Sequence, residues 1–201
     1  MKGRSLPAIF IVTASLMGFA AHASAQAVLA APANHWDHGT TLDVLAGAAS
    51  ASGDWRGAFG GALGWEINHR VEIEGTGTWL VANKAADTFA AELKVVGSLT
   101  RPRTVVPLLG AGIGLYHASF DTTRDTLPAF YQRRVVSSGV GTIANFTDPS
   151  FVLSGGADIF TGRHISVRPD VSVRLVRRSS NTYAVTLATV YLTYHFEEHG
   201  E

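Results

Sequence analysis

The sequence of 201 residues contains no cysteine. A disulfide scaffold, a thiolate metal site and a cysteine nucleophile are thereby excluded. Charge is scarce too: Asp, Glu, Lys and Arg make up 16% of the chain, against roughly 25% in an ordinary soluble domain. Neither sign prevails, with 16 basic and 16 acidic residues, which disfavours a strongly basic nucleic-acid binder. After residue 25 no segment approaches about eighteen uninterrupted apolar residues, so no transmembrane helix is expected in the mature chain. What is abundant is apolar residues, 46%, and glycine, 21 positions. That apolar content excludes strong disorder, and the length allows one domain or two small ones.

The first residues read as an address. Lys2 and Arg4 precede a largely apolar run from Leu6 to Phe19, and Ala23-Ser24-Ala25 is an A-x-A cleavage signature. This predicts a secretory signal peptide over residues 1–25, cut before Gln26. The run is too short to cross about 30 Å of hydrocarbon as a helix, and no cysteine follows it to carry a lipid. Residues 26–39 read as an Ala-rich, then polar, leader.

From Gly39 onward apolar residues alternate with small or polar ones, the period of a strand. Eight strands are predicted at roughly 40–49, 54–67, 69–82, 87–100, 104–118, 150–162, 164–177 and 183–196. Each is long enough to cross a bilayer when tilted. Parity sorts the faces. In the third segment Val71, Ile73, Trp79 and Val81 oppose Arg70, Glu72, Glu74, Thr76 and Thr78; in the seventh Ile165, Val167, Val171, Val173 and Leu175 oppose Arg168, Asp170 and Arg174. Every mid-strand charge lies opposite the large apolar residues.

Parity does not say which face points inward. A soluble barrel turns its charges to water; a membrane barrel turns its apolar face to lipid. Three features favour the membrane. Charges for a wet exterior are few. The polar face is largely Gly, Ala, Ser and Thr, which suits a narrow lumen. Trp55, Trp65, Trp79, Phe89, Phe151, Tyr194 and Phe196 cluster near strand ends, as interfacial girdles do. Connections at one end are short, Asn68-His69, Arg101-Pro102-Arg103 and Gly162-Arg163-His164. At the other end one runs from about Phe120 to Pro149. Short periplasmic turns and longer outer loops are the pattern of outer-membrane barrels. The prediction is an all-β, eight-stranded antiparallel up-and-down transmembrane β-barrel over residues 40–196, in the bacterial outer membrane. Pro107 and Pro169 fall inside strands, where a bulge or strand end is expected.

The stretches "VPLLGAGIGLYHASF", "GGADIFTGRHISVRPDVSVRLV" and "VYLTYHF" resemble the small outer-membrane β-barrel family (OmpA/OmpX-like). The resemblance covers residues 40–196 and implies architecture more than activity. It also implies that the closing aromatics Tyr194 and Phe196 are read by the barrel-assembly machinery, although the tail 197–201 extends past them.

An eight-stranded barrel is just wide enough to be filled by side chains, so no open pore is expected. The inward charges are Asp43, Arg56, Glu66, Arg70, Glu72, Glu74, Glu92, Lys94, Asp158, Arg168, Asp170 and Arg174, read as a structural ion network. Arg124, Arg133 and Arg134 in the long loop, with Arg177 and Arg178, are candidate contacts for lipopolysaccharide phosphates or a surface partner. No catalytic, cofactor or metal site is assigned. His164-Ile165-Ser166 resembles the H-x-S of lipid A deacylase barrels but lacks the downstream acidic partner; His117, Ser119 and Asp121 supply the residue types of an acyltransferase without fixing their geometry. His35-x-x-His38 lacks a third metal ligand, and Gly110-x-Gly112-x-Gly114 lies in a strand rather than before a helix, so it is not a dinucleotide loop. The expected role of this monomer is structural or interactive, within outer-membrane lipid. The alternatives are a lipid-modifying enzyme and a soluble periplasmic ligand-binding barrel.

Overall fold

The computed structural model describes residues 39–51, 54–81, 86–101, 104–121, 143–178 and 180–196. The signal segment, the leader and the tail lie outside them. Eight strands follow in order: β1 Thr40–Ala51, β2 Asp54–Asn68, β3 Val71–Leu80, β4 Ala86–Ser98, β5 Val105–Asp121, β6 Ile143–Phe160, β7 Ile165–Arg178 and β8 Asn181–Phe196. Each pairs antiparallel with its sequence neighbours, and β1 pairs with β8 from Thr40↔Phe196 to Ala51↔Val185. Closure removes the free strand edges that an open sheet would expose.

The faces settle which way the barrel is turned. Ile113, Leu63, Trp65 and Leu192 point outward and are exposed, while Asp43, Glu74, Arg168 and Arg174 are buried inside. This is an apolar-out, polar-in barrel, the arrangement a bilayer requires. It excludes the soluble alternative, in which the apolar face would fill the interior. Outward aromatics gather in two groups. Trp79 packs between Phe59 and Phe89 with ring centroids 6.1 and 4.5 Å away. At the opposite end Tyr194 meets Phe196 edge-on at 4.8 Å and His164 face-on at 5.8 Å.

Three sequence expectations change. First, β5 and β6 run further than predicted, and the long connection shrinks to residues 122–142. Pro149 had suggested a strand boundary. It sits instead where β6 pairs only with β5, because the β6–β7 ladder begins at Ser150↔Val176. The missing N–H therefore removes no β6–β7 bond. Second, neither Pro107 nor Pro169 causes a bulge or strand end. The Pro107 carbonyl accepts from the Leu99 N–H at 2.9 Å, so its nitrogen faces the same side, just past the last β4–β5 pair, Ser98↔Leu108. At Pro169 the β6–β7 pairing lapses between Gly156↔Asp170 and Ile159↔Val167, then resumes in the same register. Third, the end carrying the long connection is not uniformly long-looped. Ala51↔Asp54 and Arg178↔Asn181 close on two residues each, so the asymmetry rests mainly on 122–142.

The short turns have local causes. The β2–β3 turn is held by the Asn68 side chain, whose Oδ1 accepts from the Arg70 N–H at 2.8 Å, an Asx-type turn. The β6–β7 turn is closed by Thr161, whose N–H and hydroxyl both donate to the Ile165 carbonyl. These connections define a turn end of the barrel; the opposite end, with 122–142, is the loop end.

Candidate functional site

The chemistry of the molecule is concentrated in the lumen. Several inward glycines sit opposite its charged residues: Gly64↔Glu74, Gly112↔Lys94, Gly114↔Glu92 and Gly156↔Asp170. A Cβ at Gly112 would come 2.2 Å from the Leu93 carbonyl oxygen and 2.8 Å from Lys94 Cα; one at Gly64 would fall 1.6 Å from Glu72 Oε1. Without side chains there, the long charged groups can lie across the narrow interior.

Arg168 is the hub. Its Nη1 donates to Glu74 Oε2 at 2.8 Å, its Nε to Asp158 Oδ1 at 2.7 Å, and its Nη2 lies 3.7 Å from Glu72 Oε2. Glu74 is also held by Lys94 Nζ at 2.7 Å and by the Thr76 hydroxyl at 2.6 Å. The Thr41 hydroxyl donates to Glu72 at 2.6 Å, and that of Thr193 to Asp43. Lys94 and Arg168 each lie 5.6 Å from the Tyr191 ring centre, a cation–π contact that adds to the pairing. Nearer the loop end Arg174 pairs with Glu92 beside Tyr116. There too Arg178 pairs with Asp148 at 2.8 Å and lies over the Phe146 ring at 3.9 Å. Interleaved with these pairs, Leu80, Tyr116, Val176, Val185 and Leu187 form an apolar cluster, with Tyr183 packed against it.

At the turn end Ser166 Oγ lies 3.0 Å from His195 Nε2 and donates toward Asp158 at 3.4 Å, while His195 Nδ1 lies 3.7 Å from Glu66 Oε1. The order Ser–His–Glu is that of a hydrolase triad. Ser166 is completely buried, however, and does not line the small neighbouring cavity of about 50 Å³. The arrangement closes the wall beside Phe160 rather than presenting a nucleophile.

Of the inward charges read from parity, Asp43, Glu74, Glu92, Lys94, Asp158, Arg168, Asp170 and Arg174 are buried, and Arg56, Glu66 and Glu72 half-buried. Arg70 is a correction: it is exposed in the β2–β3 turn. Arg178 is another. Placed in the sequence at an outer loop, it continues the inward parity of Arg174 and is buried against Asp148, so only Arg177 of that pair is exposed. Arg124, Arg133 and Arg134 lie outside the described residues. Tyr194 and Phe196 face outward at the turn end. His117 accepts or donates a 2.9 Å bond with Thr147 on the outward face, and His164 Nδ1 lies 3.2 Å from the His195 carbonyl oxygen. Gly110, Gly112 and Gly114 all lie in β5.

Sequence reasoning missed Asp148, Ser166 and His195 as lumen residues. Strict period two carried back through Pro149 would have found Asp148. Nothing local links Ser166 to His195, which come together only because Ser166↔Thr193 sets the β7–β8 register.

This architecture matches known proteins. The family model "Outer membrane protein beta-barrel domain" matches residues 11–196. The chain belongs to that family of outer-membrane barrels. Its fold is similar to the N-terminal β-barrel domain of Pseudomonas aeruginosa OprF, at TM-score 0.58 and 9% identity, covering 80% of this chain and 100% of that one. It is similar also to Neisserial surface protein A, at TM-score 0.53 and 15% identity, covering 79% and 97%. At these identities the likeness is one of fold. Among curated proteins none matches.

Proposed function

We infer that this outer-membrane barrel has a structural or surface-interaction role and conducts no solutes through its lumen. The supporting observation is the filling of the lumen: an apolar cluster with two ion pairs in the loop half, a charged network in the turn half, and a cavity of only about 50 Å³ at the turn end. Eight-stranded barrels leave room for side chains and little more. Export follows from the signal segment 1–25, cleaved before Gln26, and insertion from the closing aromatics Tyr194 and Phe196. The barrel acts as a monomer. Its contact surface is the rim bearing 122–142, where Arg124, Arg133, Arg134 and Arg177 present guanidiniums to lipopolysaccharide phosphates; Arg178, already paired, is not part of it. No enzymatic activity is assigned.

Two measurements test this reading. Reconstituted in planar bilayers, the protein is expected to add no stepwise conductance; steady single-channel steps would refute the closed lumen. Replacing the four rim arginines with Gln is expected to weaken lipopolysaccharide binding. Unchanged affinity would remove that surface from consideration.

A further inference from the structure

The lumen does not balance its charges evenly. Glu92 and Asp148 each have an arginine of their own. Among the described residues of the turn-end half, Glu66 lies beside His195, while five carboxylates, Asp43, Glu72, Glu74, Asp158 and Asp170, share Lys94 and Arg168. Ionised together, these five would carry three negative charges more than their two cations supply, in a narrow lumen enclosed by a lipid-facing wall. Uncompensated buried charge is among the costliest features a protein can hold.

The excess is concentrated. Carboxylate oxygens of Asp43, Glu72 and Glu74 lie within 4.8 Å of one another. Independently of that spacing, Asp43 is 1% exposed, yet its Oδ2 accepts no hydrogen bond. Buried polar atoms are nearly always satisfied, and an exception calls for a missing partner. Glu74 is committed to Lys94 and Arg168, so the demand falls on Asp43 Oδ2 and the Glu72 carboxylate. A route also exists. The turn-end cavity is lined by the turn residues Asn68, His69 and Arg70 and by Glu66 and Asp158, and Glu72 belongs to both cavity and cluster. Among the described residues the loop half of the lumen is occupied by the apolar cluster and the Arg178–Asp148 pair.

We propose that Asp43 and Glu72, with Glu74 as the third carboxylate, bind a divalent cation of the calcium class that enters from the turn end. The donors are hard oxygens, including the Thr41 and Thr193 hydroxyls beside the carboxylates, and such sets select Ca²⁺ or Mg²⁺ over softer metals. Ca²⁺ tolerates the irregular geometry of a site pieced together from β1 and β3 better than Mg²⁺ does. Entry at one end only makes this a binding vestibule rather than a path across the membrane.

The test is terbium(III) titration of the full-length folded barrel in detergent, with emission excited through tyrosine, since Tyr191 lies beside the cluster. Saturable emission displaced by Ca²⁺ is expected. Asp43→Asn and Glu72→Gln should each weaken terbium binding by about tenfold or more, because affinity at such sites follows the number of charged ligands. Both changes remove surplus negative charge, so folding should persist, checked by heat-dependent gel mobility. Glu66→Gln, at the mouth, should retain binding. Absence of tyrosine-sensitised emission in the wild type would overturn the proposal and mean that protons neutralise the cluster. Emission unaffected by either substitution would place any bound ion elsewhere and overturn it equally. Displacement by Na⁺ as effective as by Ca²⁺ would overturn the divalent class.

Discussion

Along β8 the inward positions read Tyr183, Val185 and Leu187 toward the loop end, and Tyr191, Thr193 and His195 toward the turn end. One strand thus lines two different interiors. The loop half is filled as a small apolar core, with Tyr116 and Tyr183 meeting edge-on at 6.1 Å, and its charges form isolated one-to-one pairs. The turn half is filled by a connected network in which Arg168 alone serves Glu72, Glu74 and Asp158. A core of the first kind loses stability in proportion to the volume removed. One of the second kind depends on a shared cation, whose loss takes a partner from several buried carboxylates together.

The largest effect that separates the halves should come from Arg168→Met. Breaking a buried pair costs about 3–5 kcal/mol, and here Asp158 and Glu72 lose their cation at once while Glu74 keeps only Lys94. Urea unfolding in micelles, followed by tryptophan emission, should show a midpoint collapse or no folded band at all. A loss no greater than that of an ordinary core truncation would mean that the network is not connected as its distances imply.

Leu187→Ala is the corresponding change in the loop half. It should cost about 2–5 kcal/mol according to how far the cavity collapses, leaving the turn-half ion pairs intact. The two effects should add within about 0.5 kcal/mol if the halves are independent, as distant sites usually are. Clear non-additivity would merge them into one core. Gly112→Ala should rank next, at roughly 1–3 kcal/mol of overpacking strain, because the new methyl meets the Leu93 carbonyl and the Lys94 backbone.

The same contrast explains what could be read beforehand. In the turn half the two faces differ in polarity, so parity exposed both wall and lumen: Ile165 and Val171 outward against Arg168 and Asp170 inward. In the loop half the contrast fades or reverses. Val185 and Leu187 point inward while Ala184 and Thr186 flank them, and strand ends there were misplaced by two residues or more for β1, β3, β5, β6 and β8. The ion network was legible as a set of residues but not as partners, because each pair joins positions far apart in sequence, such as Arg168 with Glu74 and Arg174 with Glu92. Arg178 was misassigned for a simpler reason. Neighbourhood to a loop was given more weight than parity, and parity was the sounder guide.

Arg177 and Arg178 therefore offer the finest division of the loop half, between its wall and its interior. Arg178 is buried in an ion pair, so Gln there leaves Asp148 unpaired. Arg177 is exposed on β7 opposite Thr182, and exposed substitutions away from special features usually stay within about 0.5 kcal/mol. Arg177→Gln should accordingly leave the urea midpoint unchanged while weakening lipopolysaccharide binding, whereas Arg178→Gln should lower the midpoint and leave binding by the folded fraction intact. Lipopolysaccharide titration of both variants, paired with their unfolding curves, distinguishes the outcomes. Equal stability loss in the two would mean that the last turn of β7 does not hold its inside–outside alternation up to Arg178.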